Sequence, residues 1–256
     1  MKTLIATDLH SHILPGVDDG PDSIHGSLRL AGEYVSDGTG RVVTTPHINH
    51  RWGIRVEKIH ESFAALQNAL ESNAIDLLLE FGGEVELTTA IDMTSEELDW
   101  FRLGGGEWLL IEPPPSGPGS SIHAMVFEIQ SRGYRVLLAH PERCETFQNH
   151  IELLESLIAG GVRTQVTAEA ITGGFGHSAQ KASKKFFERE LVHTVASDAH
   201  HADLRPPGLA SHLNRAGYGY LYDWLCKEVP EAILSGGPPV RRPEAPSTGW
   251  KRLFSR

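Results

Sequence analysis

Short apolar runs recur along the chain, and seven of them close on His, Asp or Glu: LIATDLHSH, VVTTPH, FGGEVE, WLLIE, VLLAHPER, TQVTAEA and TVASDAH. Runs of this length, rich in Val, Ile and Leu, predict buried parallel strands. The pattern places strands at 2–8, 41–45 (stopped by Pro46), 76–86 (broken or bulged at Gly82-Gly83), 107–112, 135–140, 162–168 and 192–197. Between them, apolar residues at helical spacing predict helices over 22–37, 56–72, 121–132, 151–159, 178–189 and 208–216. Leu28, Leu30, Ala31 and Val35 form part of the first apolar face; Ile59, Phe63, Leu66 and Leu70 form the second. Sustained strand–helix alternation favours one parallel sheet, closed or doubly wound. In a β/α barrel the functional side chains stand where strands end at the C-terminal face, so these endings aim at one place.

A chain of 256 residues suffices for one large α/β domain. From Gly236 onward it is rich in Pro, Gly and Arg, which divides it into a domain over 1–235 and a flexible tail over 236–256. The aromatic and basic end, Trp250 to Phe254, is a candidate docking element or a loose tail. A formal net charge of −10 argues against a nucleic-acid binder that relies on a basic surface. Cys144 and Cys226 are the only cysteines, so neither a disulfide framework nor a thiolate zinc site is expected. The N-terminal apolar run is too short for a signal peptide, and no stretch approaches a membrane span. The expected setting is cytoplasmic and reduced, without membrane insertion, and compatible with an oligomer.

His10 and His12 stand two apart, so strand periodicity puts both imidazoles on one face. His47 follows Thr45-Pro46, His140 opens His-Pro-Glu-Arg, and Asp198 and His200 close Ser-Asp-Ala-His. Glu84 and Glu112 end strands three and four. A carboxylate at a buried strand end is costly unless paired or bound to metal. Eight such groups at equivalent ends point to metal rather than to salt bridges or caps. Imidazole and carboxylate without thiolate suit Mn, Fe or Zn. Two or three ions at roughly 3.5–4 Å spacing would use this many ligands; such clusters activate water and clamp the entering and leaving oxygens of a phosphoryl transfer. Arg143 is the candidate phosphate ligand. Asp18 and Asp19 form an acidic pair, either able to ligate a further metal or to protonate a leaving oxygen, or else to serve the turn between Gly16 and Gly20. Glu169, ending the TQVTAEA run, has no matching partner and reads as wall. No P-loop, dinucleotide fingerprint or GxSxG elbow is present, and Cys144 lacks the arginine of a CxxxxxR phosphate loop.

Asp8-Leu-His-Ser-His-Ile-Leu-Pro-Gly-Val-Asp-Asp-Gly-Pro, Thr45-Pro-His, Gly83-Glu84, His140-Pro-Glu-Arg and Ser197-Asp-Ala-His resemble the polymerase and histidinol phosphatase (PHP) superfamily. Asp-Asp-Gly-Pro, Gln165-Val-Thr-Ala, Gly173-Gly-Phe-Gly and Arg205-Pro-Pro resemble its bacterial metal-dependent protein-tyrosine phosphatases of capsular and extracellular polysaccharide loci. The resemblance covers about residues 2–234. It implies a distorted (β/α)7 barrel and a trinuclear centre, often with manganese. It implies one ion held by His10, His12, Glu84 and Asp198. A second would be held by His47, Glu84, Glu112 and His140, and a third served by Asp19, with Asp18 as the alternative, and His200. Arg143 would bind phosphate and Asp18 would assist the leaving group. The implied substrate is phosphotyrosine on a bacterial tyrosine kinase that controls polysaccharide assembly; the rival is a small phosphomonoester such as histidinol phosphate. Cys144, where Tyr is frequent, and Ala168-Glu-Ala, where a Gly-Ser-like pair is usual, depart from the pattern at positions expected to shape the rim.

Overall fold

The computed structural model describes residues 4–53 and 55–244. Its strands are β1 (Thr7–Ser11), β2 (Arg41–Thr44), β3 (His47–Ile48), β4 (Leu78–Phe81), β5 (Glu84–Glu86), β6 (Trp108–Glu112), β7 (Arg135–Ala139), β8 (Arg163–Thr167) and β9 (Thr194–Ala196). All strand pairings are parallel, in two sheets ordered β1-β2-β4 and β3-β5-β6-β7-β8-β9. Helices cross between them, as parallel connections require. Leu109, Leu110 and Ile111 of β6 and Val136, Leu137 and Leu138 of β7 are wholly buried, the continuous apolar runs of strands covered on both faces.

The division into two sheets follows from two adjacent breaks. Pro46 has no N–H to continue a ladder, and it separates β2 from β3. Beside it, Gly82-Gly83 separates β4 from β5; a Cβ on Gly83 would lie 2.7 Å from Phe101 Cδ1, so the chain passes there only without a side chain. Across the break Glu84 N still donates to Pro46 O at 3.0 Å. The nine segments therefore trace seven strand paths, but the hydrogen-bond ladder is not one closed ring. Where closure was expected, β1 meets the chain after β9 through one bridge, Ser11 to Ala199, with His12 N donating to Ala199 O and Asp198 N to His10 O, each at 3.0 Å. The architecture is a mixed α/β domain built on parallel sheets.

Two expectations about individual elements are corrected. The first strand is Thr7–Ser11, paired with β2 from Thr7 opposite Arg41, so it runs past the expected end at Asp8; Asp8 is internal to it, its carboxylate accepting from His10 N and Ser197 N, each at 3.0 Å. The first helix, Ile24–Ser36, is capped by Ser23 and buries Leu30, Ala31 and Tyr34, whereas Val35 is 42% exposed and faces outward. Residues 236–244 carry no helix or strand, and Trp224 Nε1 donates to Val240 O at 3.2 Å. The Trp250–Phe254 element lies outside the described residues. Among the described residues no helix is long and apolar enough to cross a membrane.

Candidate metal centre

The polar strand ends converge. His10 is in β1 and His12 just beyond it; His47 opens β3, Glu84 opens β5 and Glu112 closes β6. His140 follows β7, and Asp198 and His200 follow β9. His140 (φ 31) and Asp198 (φ 54) adopt left-handed backbone conformations that a residue with a Cβ rarely takes. Such strain persists where the surroundings enforce it, and here it turns both side chains inward.

Glu84 lies at the middle of the cluster, 1% exposed. Its Oε1 is 2.7 Å from His140 Nε2 and 3.3 Å from His10 Nε2; its Oε2 is 2.9 Å from His47 Nδ1 and 3.4 Å from His12 Nε2. Asp198 Oδ1 stands 3.3 Å from His10 Nε2 and 3.2 Å from His12 Nε2. Asp19 Oδ1 lies 3.5 Å from His47 Nε2 and 3.3 Å from His200 Nε2. Glu112 is more peripheral, 3.8 Å from His140 Nε2 and 4.0 Å from His47 Nδ1. Ligand atoms gather within 4.8 Å of one another in four overlapping groups: His12-Asp19-His47-His200, His10-Glu84-His140, His10-His12-Asp198 and His47-Glu84-Glu112.

The donor chemistry of these groups fits divalent cations. Asp18 Oδ2 accepts from His12 Nδ1 at 2.7 Å, which fixes the proton there and leaves Nε2 with a lone pair. Gln165 Oε1 does the same for His10 Nδ1 at 2.8 Å, and the Asp198 carbonyl for His200 Nδ1 at 2.9 Å. The freed Nε2 atoms of His10 and His12 then face each other at 3.2 Å, among the carboxylates of Glu84 and Asp198. Glu84 Oε2 and His47 Nδ1 are buried and close, yet misaligned for a hydrogen bond, so both are orphaned. His140 Nε2 hydrogen-bonds Glu84 Oε1, but the lone pairs left without a donor share one space, which suits a positive charge.

Electrostatics agree. Burial opposes ionisation of Glu84 and Asp198, but His10 beside each holds both carboxyls well below the usual range, with Arg143 assisting at Asp198. Against burial, Glu84 and Asp198 pull the His10 imidazole up; Asp18 does so for His12. Protons and cations thus compete for the same lone pairs. Burial and the charge of Arg143 push His140 down to about 4, a neutral imidazole at physiological pH. Burial and the neighbouring Glu84 push Glu112 up to about 7.

Each of His10, His12, Asp19, His47, Glu84, Glu112, His140, Asp198 and His200 falls in at least one of the four groups. Their distribution differs from the partition the resemblance implies, because His12 and His47 also face Asp19 and His200. Asp18 is placed otherwise than expected. Its side chain is fully buried and accepts three N–H donors: His12 Nδ1, His47 N at 3.0 Å and Gly20 N at 3.0 Å. Burial opposes its ionisation, but His12 and those donors hold it below the usual carboxylate range, so it has no proton to give a leaving oxygen. Arg143 Nη2 donates to Asp198 Oδ2 at 2.7 Å.

Sequence reading missed Arg205, which donates to the same Asp198 oxygen, and Gln165. Gln165 lies in β8, whose sequence Arg-Thr-Gln-Val-Thr is mostly polar, so no contrast of polarity marks it, and Arg205 lies in an irregular loop that carries no periodicity. Residues read as roleless stay outside the cluster: His60 stacks on Phe81, His123 bonds to the Leu153 carbonyl, and the buried Cys144 thiol is pushed up by desolvation.

Comparison with known proteins gives a concordant result. The tyrosine-protein phosphatase CpsB of Streptococcus pneumoniae is 33% identical over 208 residues, 78% of this chain and 85% of that protein. The tyrosine-protein phosphatase YwqE of Bacillus subtilis is 27% identical over 244 residues, 93% and 95% of the two chains. A solved structure from work on YwqE and CpsB, described as metal-dependent tyrosine phosphatases, superposes with a TM-score of 0.80 at 27% identity, covering 94% of this chain and 99% of that one. A β-aspartyl dipeptidase from Fervidobacterium islandicum, 13% identical with a TM-score of 0.56 over 93% of this chain and 75% of its own, shares the fold alone. The profile described as "Capsular polysaccharide synthesis, CpsB/CapC" matches residues 6–228, and the chain belongs to that family.

Proposed function

We propose that this chain is a metal-dependent protein-tyrosine phosphatase acting on a phosphotyrosyl protein. A bacterial tyrosine kinase of polysaccharide synthesis is the intended substrate, and manganese the native metal, as three ions. The observation that carries the reading is the adjacency of two guanidiniums, Arg143 and Arg205, to a buried knot of imidazole and carboxylate lone pairs. The first suits a phosphoryl group and the second suits cations. His10, His12, Asp19, His47, Glu84, Glu112, His140, Asp198 and His200 are the proposed ligands, with Glu84 shared between ions. Bound there, the ions would acidify water and neutralise phosphoryl charge.

This chain's own residues supply the rest. Arg143 and Arg205 orient the phosphoryl oxygens and offset charge that develops on them. Asp18 and Gln165 hold His12 and His10 in the ligating tautomer. Asp18, held as the anion by its N–H donors, does not serve as the acid for the leaving oxygen in this reading. A tyrosinate, with a pKa of about 10, leaves with less help than an alkoxide, which favours the aryl ester over histidinol phosphate.

The test is hydrolysis of a phosphotyrosyl peptide with Mn²⁺, with and without chelator, beside histidinol phosphate. Chelator-sensitive turnover that prefers the peptide is expected. Turnover indifferent to chelator, or faster on histidinol phosphate, would overturn the proposal.

A further inference from the structure

Phe175 belongs to a Gly-Gly-Phe-Gly stretch that the metal cluster does not use. The structure puts its ring against both guanidiniums: Arg143 Cζ and Arg205 Cζ each lie 4.8 Å from its centroid. The two arginines come from separate loops, one after β7 and one after β9, and both end on Asp198 Oδ2. Two like charges sharing one acceptor repel each other, and the π-cloud of an aromatic ring offsets that repulsion. The Nε atom of each arginine is buried and lacks a partner, so one donor edge of each fork remains open.

The loop is built to present this ring. Gly173 (φ 100) and Gly176 (φ 85) take left-handed conformations on either side of it. A Cβ on Gly174 would lie 2.3 Å from Glu169 Cγ, so the backbone there rests directly on the Glu169 side chain. The residue that sequence reading set aside as wall is thus the floor of the loop carrying Phe175.

We infer that Phe175 is a positioning residue, which holds Arg143 and Arg205 as a matched pair for the oxygens of a phosphoryl group. The inference rests on the phosphatase reading for its effect on turnover, but the pair requires only an oxyanion. The experiment titrates inorganic phosphate into the Mn-loaded protein by calorimetry and measures kcat and KM on a phosphotyrosyl peptide. For Phe175→Leu, phosphate should bind about tenfold more weakly, as expected from losing two cation–π contacts. KM should rise more than kcat falls, metal content should stay unchanged, and Phe175→Tyr should recover most of the affinity. Gly174→Ala, which displaces the same loop from Glu169, should weaken phosphate in the same direction. A purely structural ring would lower the melting temperature without moving phosphate affinity. Phosphate affinity in Phe175→Leu, or in Gly174→Ala should the former not fold, equal to that of the unmodified protein would overturn the inference. An inactive parent protein would sink the phosphatase reading, yet the phosphate titration would still decide the role of Phe175.

Discussion

Replacing Asp18 separates two uses of a carboxylate. The Asp18 side chain is fully buried and accepts three N–H groups, two on Oδ2 and one on Oδ1. An asparagine has one accepting oxygen, so it serves either His12 and His47 or Gly20, never all three. The better rotamer keeps His12 and His47 and sets its amide donor against Gly20 N–H. That conflict leaves a buried donor unsatisfied, at about 1–3 kcal/mol. The imidazole keeps its tautomer but loses the anion behind it, and metal affinity should fall about tenfold in Asp18→Asn. Asp18→Ala removes all three contacts and should fall about a hundredfold, the upper end for an outer-shell partner. Mn²⁺ competition with a chelating dye reads the affinity, and thermal melting at saturating metal reads the fold. A general acid would behave differently: its loss would remove the basic limb of the kcat profile and leave metal affinity alone. Unchanged Mn²⁺ affinity in both variants would refute the positioning argument.

Three further outcomes are expected. Arg205→Lys keeps the charge but loses the planar fork, so kcat/KM on a phosphotyrosyl peptide should drop about 10²-fold at unchanged metal content; a drop of less than about threefold would remove Arg205 from phosphate binding. Chelation should lower the melting temperature by about 5–10 °C, since metal at a hundred times its Kd adds about 2.7 kcal/mol and 1 kcal/mol is worth about 2–4 °C in a chain of this size; scanning calorimetry with and without EDTA checks it, and coincident transitions would argue against a bound cation. Burial and the charges of Arg163 and Arg242 push His193 down to about 3. The unfolded chain takes up that proton below about pH 6.5 and the folded chain does not, so stability present above pH 6.5 is lost as pH falls toward 3, at up to ~1.4 kcal/mol per unit. In chelated protein His193→Gln should flatten that limb, and an identical pH dependence of the melting temperature would count against it.

The convergence of His, Asp and Glu was legible because strand ends carry it, and a short apolar run marks a strand end wherever it occurs. Pro46 and Gly82-Gly83 were equally legible as breaks, since each denies the chain something local: an N–H in one case, a side chain in the other. What the sequence hid was decided by contacts between distant segments. Asp18 and Asp19 are consecutive acids on one turn, and nothing local says which faces inward. A Cβ on Gly20 would lie 1.9 Å from the His12 carbonyl oxygen, so the turn packs directly on the β1 extension, and that packing sends Asp18 behind His12 and Asp19 toward His200. The end of β1 was misplaced for a related reason: Asp8 and His10 look like the end of a strand until their partners in β8 and after β9 are known.

Asp198 explains why the two halves of the site belong together. One of its oxygens faces His10 and His12, and the other receives Arg143 and Arg205. Its left-handed backbone conformation allows this division, and the Asp198 carbonyl also holds His200 by Nδ1. A phosphoryl group that draws the guanidiniums away leaves that carboxylate more negative toward the imidazole side, where cations would sit. If the cluster holds cations and the arginines an oxyanion, as proposed, their binding would be coupled through this one residue, and by thermodynamic linkage each would strengthen the other. An arginine pair set apart from the ligand cluster would lack that coupling; the Arg205-Pro-Pro segment marks the residue in the sequence, but only the fold sets it beside Asp198.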